Sequence, residues 1–461
     1  MQIKSERLIL AGYLLGFLIL AMTLAIFQPI LNAPPIYANP PDEHARYLIP
    51  QYICEHGTLP TGFEEEIRIE SYGFSYGLYN TFPYIIQGYV MRFVKLFTSS
   101  GLALLYAARM VNVFFGLTMA VIVYLISRKL FSDRRMRWLF CFGVMYLPEC
   151  LFLHTYVNTD SCCLLAVSMM VYALVSAYRE GFTVGNCLWM SGGIILCALS
   201  YYNAYGYIVS CILLFLAYFG KSAEGKIQYD WRTMLKRGLF ISVLVLFGIG
   251  WWFVRQYIVL DGDFLGLATR EKMAQMYASP DVNPLFRVSF RDKGYSLWQM
   301  ITENHTFDLV FRSFVAAFGS MSMYSTELLY LGYQVLFAMA LVGLLCLAVQ
   351  RIPAIKGKQL FFHINMWFCI LMPVLLMLYY AYTTDYQPQG RYIMPAVVPF
   401  LYYMVKGIEK LLSMRLGRKP LPRWLGNTAL CLCFLLIIGG TVEMIYHRSL
   451  PIYLEVGIAL P

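Results

Sequence analysis

The sequence predicts an all-α polytopic membrane protein of about eleven transmembrane helices, and three observations carry that reading. Hydrophobic residues make up 59% of the 461 residues and charged residues only 13%, roughly half the charged share of an average soluble domain. Aromatic side chains reach 16%, as expected of rings anchored at membrane–water interfaces. Apolar runs long enough to cross about 30 Å of hydrocarbon recur along the whole chain. The composition excludes a disordered chain. With no internal repeat and no low-complexity tract, residues 1–461 read as a single integral membrane domain.

The apolar runs fall at 8–28, 105–127, 137–156, 161–178, 185–201, 204–220, 238–257, 327–349, 360–381, 392–408 and 425–446. The first follows Lys4 and Arg7. It exceeds the roughly 7–15 residues of a signal-peptide core and precedes no small-x-small site, so it reads as an uncleaved first span. With the N-terminus inside, the inner loops hold 22 of the 36 bases, from Lys4 and Arg7 through Arg134, Arg135 and Arg137 to Arg418, Lys419 and Arg423. They hold 6 of the 26 acids, a balance of +16 against −6 for the rest of the chain. The positive-inside rule therefore accounts for the net charge of +10, and no nucleic-acid partner is needed. This orientation puts the C-terminus outside, together with two segments too long to be mere connectors, 29–104 and 258–326. Tyr84 to Val90, in the first of them, has the make-up of an interfacial amphipathic helix. The 12 cysteines lie mostly within apolar runs, and only Cys54 is assigned to an outer loop. Neither a disulfide framework nor a metal-ligand spacing appears.

Three clusters carry candidate chemistry. Asn39-Pro40-Pro41-Asp42-Glu43-His44-Ala45-Arg46-Tyr47 places two stiffening prolines before paired carboxylates at a predicted helix start. Asp42 as N-cap and Glu43 in the first turn is the plain structural alternative. Tyr156-Val157-Asn158-Thr159-Asp160-Ser161 forms the turn between the third and fourth spans, again rich in capping residues. Glu149, inside the third span, must face protein or a wet cavity. A buried hydrogen-bonded pair with His154 is favoured there over a ligand site. Thr383-Thr384-Asp385-Tyr386-Gln387-Pro388-Gln389-Gly390-Arg391-Tyr392 ends the ninth span. Arg391 opposes the charge trend and matches phosphate oxygens, and Gly390 would let a ligand approach the backbone. Pairing with Asp385 is the alternative for Arg391. Arg255, in Trp251-Trp252-Phe253-Val254-Arg255, either snorkels among interfacial tryptophans or contributes to a site.

Taken in order, these motifs resemble the polytopic GT-C-fold glycosyltransferases, in a bacterial branch more distantly similar to lipid A aminoarabinose transferase and protein O-mannosyltransferases. The resemblance runs from about Leu8 to Tyr403. It implies transfer of a sugar from a polyprenyl-phosphate donor to a hydroxyl of an envelope glycan, lipid or protein acceptor, on the outer face of the membrane. Asp42 would be the catalytic base, with Glu43 beside it and Asp160 as a second acid. Arg391, Arg255, His44, Arg46, Asn158 and Gln389 are the candidate substrate contacts. A divalent cation would require Asp42, Glu43 and Asp160 to converge. A polymerase or ligase of lipid-linked glycans is the neighbouring alternative. A transporter or flippase is the alternative from another class, disfavoured because the ionisable residues cluster in outer loops rather than at the midplane.

Overall fold

The computed structural model describes residues 2–30, 36–223, 226–351, 355–416 and 419–458. Arg418, counted with the inner loops, lies outside the described residues, as do residues 31–35 of the first long segment expected outside and 459–461 at the C-terminus.

Among the described residues, eight helices are long and apolar enough to cross a membrane. They comprise α1 (Gln2–Phe27), α4 (Gly101–Leu130), α7 (Asp160–Glu180), α10 (Trp231–Val259), α14 (Glu327–Arg351), α15 (Lys358–Thr383) and α17 (Arg423–Val456), with α9 (Gly206–Phe219) reaching that length through the turn before it. The other three expected spans are shorter. One is α8 (Val184–Ala198). The third expected span is broken into α5 (Arg134–Met145) and α6 (Pro148–Phe152), because Pro148 opens a new helix once the first has ended. The tenth opens with a 3₁₀ stretch, Gly390–Ala396, and becomes α16 (Val397–Leu412) only past Pro395.

Position within the bundle follows from sequence. Helix α7 is built largely of small and apolar residues and 83% of its apolar window is buried, against 6% for α10, which presents large apolar side chains such as Leu235, Leu239, Val243, Leu246, Phe247 and Val254 outward. The first is the core of the fold and the second its lipid-facing wall. Helices α14 and α16 approach through Gly343 and Gly407, where an added Cβ would fall about 2 Å from the opposing backbone.

The two long segments expected outside carry helices of their own: α2 (Glu43–His56) and α3 (Phe82–Lys95) in the first, α11 (Leu267–Tyr277), α12 (Leu297–Glu303) and α13 (Thr306–Val315) in the second. The expected interfacial stretch from Tyr84 is part of α3. The basic residues stand at the opposite ends of the spans from these segments, with Arg128 and Lys129 closing α4, Arg134 and Arg135 opening α5, and Arg351 closing α14.

Candidate active site

The site begins with a backbone feature. The Glu43 N–H donates to the Pro40 carbonyl at 3.3 Å, and between them Asp42 has φ 59° and ψ 10°. Pro41 therefore precedes a left-handed residue in a tight turn, the position usually taken by Gly or Asn. Asp42 stands at the N-cap of α2, yet its side chain makes no capping hydrogen bond. The carboxylate is turned instead toward two guanidiniums, with Oδ2 3.3 Å from Arg391 Nη2 and 3.5 Å from Arg46 Nη2. Burial raises the pKa of this carboxyl, but Arg391 and Arg46 more than offset it and hold Asp42 below the ordinary carboxylate value. Asp42 is ionised at neutral pH.

Arg46 follows Asp42 by one helical turn and reaches past it, with Nη1 3.5 Å from Asp160 Oδ2. Its guanidinium lies over the Tyr76 ring, 5.1 Å from the centroid. Arg391 comes from the 3₁₀ stretch before α16 and is 6% exposed. It donates to the Tyr392 hydroxyl, which donates to Gln387 Oε1, while Gln387 Nε2 donates to Asp385. Asp385 thus reaches Arg391 only through this relay. Among the described residues, Arg391 Nε and Nη1 and Arg46 Nε are buried without a hydrogen-bond partner. Buried donors of this kind are normally satisfied, so they are free for an anion.

These groups border a cavity of about 590 Å³. Asp42, Arg46 and Arg391 line it together with Thr159, Ser200, Asn203, Arg270, Glu271, Arg287, Asp385, Gln387 and a set of tyrosines.

The remaining candidates have other placements. Glu43 is turned away from the cavity and fully buried, accepting from Arg109 Nε at 2.8 Å, Arg109 Nη2 at 2.6 Å and the Val157 N–H at 2.8 Å. His44 is exposed and does not line the cavity. Asn158 is buried, its Oδ1 accepting from the Ser161 N–H and its Nδ2 donating to the carbonyls of Leu153 and Tyr156, so it caps α7. Arg255 donates to the carbonyls of Leu59 and Pro60 and lies 5.5 Å from the Trp252 ring centroid, tying α10 to the long segment between α1 and α4. Gln389 lies outside the cavity wall. Gly390 serves packing rather than ligand approach: an added Cβ would fall 2.0 Å from the Phe314 nitrogen on α13. The expected Glu149–His154 pair does not form. Glu149 accepts from the Ala317 N–H, and His154 Nδ1 shares a hydrogen bond with Ser161 Oγ.

As ligands for a divalent cation the three acids do not fit. The Arg46 guanidinium stands between Asp42 and Asp160, and Glu43 is committed to Arg109. No group of three or more His, Cys, Asp or Glu among the described residues could hold a metal ion.

Sequence reasoning passed over Arg109, Arg270 and the tyrosines of the wall. Arg109 did carry a signal, being a base within the apolar run of the second span. Arg270 carried none, and the alternation of rings with small residues over 71–80 does not by itself reveal a cavity.

A family model described as predicted membrane protein (DUF2142) matches residues 54–399. No curated protein sequence matches significantly. Among solved structures, the chain is similar to the Archaeoglobus fulgidus oligosaccharyltransferase tethered with an acceptor peptide containing the NVT sequon. The TM-score is 0.53 and the identity 14%, over 95% of this chain and 55% of that one. The same archaeal enzyme, AglB, in complex with an inhibitory peptide and a dolichol-phosphate gives 0.52 and 14%, over 94% and 55%. ArnT from Cupriavidus metallidurans bound to undecaprenyl phosphate gives 0.46 and 10%, over 96% and 75%. The chain spans about half the length of the archaeal enzyme. The fold is shared with a GT-C glycosyltransferase.

Proposed function

The chain belongs to the DUF2142 family of predicted membrane proteins, and we propose that it is a glycosyltransferase moving a sugar from a polyprenyl-phosphate carrier to an acceptor hydroxyl on the outer face of the membrane. One observation carries this reading. An ionised carboxylate, Asp42, stands at the wall of a cavity between two arginines that keep unused buried N–H groups.

In this reading the acceptor hydroxyl attacks the anomeric carbon and gives its proton to Asp42. The bond from that carbon to the phosphate oxygen breaks, and the polyprenyl phosphate leaves with the electron pair. Charge grows on the phosphate in the transition state, where Arg391 Nε and Nη1 supply charge-assisted hydrogen bonds. Asp42 then returns its proton to water. One displacement needs no enzyme nucleophile. Asp160 keeps Arg46 oriented, and Glu43 anchors the backbone behind Asp42.

The fold shared with an enzyme solved in complex with a dolichol-phosphate supports a lipid-linked donor. The outward placement of the cavity rests on the charge asymmetry. A transporter has less support, because the ionisable lining comes from helix ends and outer segments on one side, whereas transporters place such groups near the midplane. The test is reconstitution in liposomes with a panel of polyprenyl-phosphate sugars, following release of the polyprenyl phosphate. Release that depends on added acceptor supports the proposal. Its absence across the panel refutes it.

A further inference from the structure

Residues 71–80 read Ser-Tyr-Gly-Phe-Ser-Tyr-Gly-Leu-Tyr-Asn, with rings alternating with small residues. The alternation sorts the segment into two faces. Gly73, Ser75 and Gly77 are buried, whereas Tyr72, Phe74, Tyr76 and Tyr79 are half-buried and line the cavity. The buried face admits no larger residue, since an added Cβ on Gly73 would fall 2.3 Å from the Ala278 nitrogen. Ser75 Oγ accepts from the Gly77 N–H and closes the turn. The rings are thereby held on the cavity side.

They form a continuous ribbon. Tyr72 and Phe74 stack at 5.8 Å and 17°, and further contacts run from Phe74 to Tyr76, Tyr76 to Tyr79, and Tyr79 to Tyr202 at 5.8–6.2 Å. Arg270 lies against Phe74 and Tyr79 and donates to the Tyr79 hydroxyl. Glu271, Asp281, Asn203 and Gln387 stand around the same wall. The charged lining balances, four arginines against four carboxylates.

Apolar ring faces bordered by hydroxyl, amide and charged groups complement a sugar ring, which offers C–H faces and a rim of hydroxyls. A prenyl chain calls for an apolar groove between spans, whereas this ribbon is built mainly from an outer segment. An extended peptide is commonly held along a sheet edge, and no strand lines this wall among the described residues. We infer that the ribbon of Tyr72, Phe74, Tyr76, Tyr79 and Tyr202 is an acceptor subsite for a neutral glycan, so that the acceptor is a saccharide chain. The inference rests on the transferase reading of the same cavity.

The test is saturation-transfer NMR on the purified full chain without donor. The probes are neutral trisaccharides of glucose, galactose, rhamnose and N-acetylglucosamine, with a Ser/Thr-containing octapeptide and farnesyl phosphate as competitors for the two other classes. At least one trisaccharide gives transfer to its C–H protons. Tyr72→Ala and Phe74→Ala weaken its binding about tenfold, and Tyr72→Phe, which keeps the ring, does not. No signal from any trisaccharide, or equal binding by the alanine variants, overturns the inference. Trisaccharide binding without transfer from any donor refutes the transferase reading and leaves the subsite standing. Transfer to a peptide or lipid, unaffected by the ribbon variants, does the reverse.

Discussion

Asp42 occupies a left-handed turn position that Asn tolerates and most residues do not, while Arg391 and Arg46 hold its carboxylate ionised. Non-glycine residues held there cost roughly 1–3 kcal/mol and cluster at functional sites. The same geometry fixes the pH behaviour. Arg391 favours the charged form, so the acid limb of kcat/KM lies below the ordinary aspartate region near about 3.9. Removing Arg391 leaves burial less opposed and raises the Asp42 pKa. In Arg391→Ala the acid limb therefore moves to higher pH, and an unmoved limb would detach Arg391 from Asp42. The donor KM of that variant rises about tenfold to a hundredfold through the lost phosphate contact. Arg391→Lys recovers only part, because a point charge replaces a planar fork. Equal effects on donor and acceptor KM would instead indicate general loosening of the loop.

Among the elements, α2 is held by a clamp that crosses four segments. Arg109 on α4 grips Glu43 with two nitrogens and donates its third to the carbonyls of Ala25, in the last turn of α1, and Gln28, just past it. Glu43 in turn accepts from the Val157 N–H. One turn along α4, Asn112 donates to the carbonyls of Tyr156 and Asn158 and accepts from Gln87 on α3. Arg109→Met would strand a buried carboxylate, a loss of about 3–5 kcal/mol. A thermal melt should show Glu43→Leu with Arg109→Met restoring most of it. If the double variant melts no higher than the single, the pair is not the source of the loss. Eight of the eleven expected spans were legible in the sequence because length and hydropathy determine them, whereas the break at Pro148 and the 3₁₀ opening before α16 were not foreseen. The clamp was not, because Glu43 read as a partner of its neighbour Asp42, and only folding brings α4 behind it. Gly390 misled for a related reason: close approach was foreseen, but by a ligand rather than by α13.

Across the whole molecule, the cavity and the basic helix ends lie at opposite ends of the bundle, so one labelling experiment orients both. With exposed Cys431 replaced by Ser, Gln275→Cys should react with an impermeant reagent in intact cells, and Ser132→Cys should not. The reverse pattern would put the cavity inside. The site itself was partly legible. Asp42, Arg46 and Arg391 stood out by charge and local motif, but Asp42 and Arg391 are 349 residues apart, and nothing local announces that they meet. The tyrosine wall was missed because the alternation of rings with small residues over 71–80 sorts two faces without telling which of them borders a cavity, and Tyr202 joins it only through folding. The central claim is that Asp42 takes the acceptor's proton, and Asp42→Asn in the reconstituted transfer assay tests it most directly, since Asn keeps both the turn and the size of the side chain. The account predicts a loss of about 10²–10⁴-fold in kcat with an unchanged melting profile; turnover near that of the wild type would contradict it.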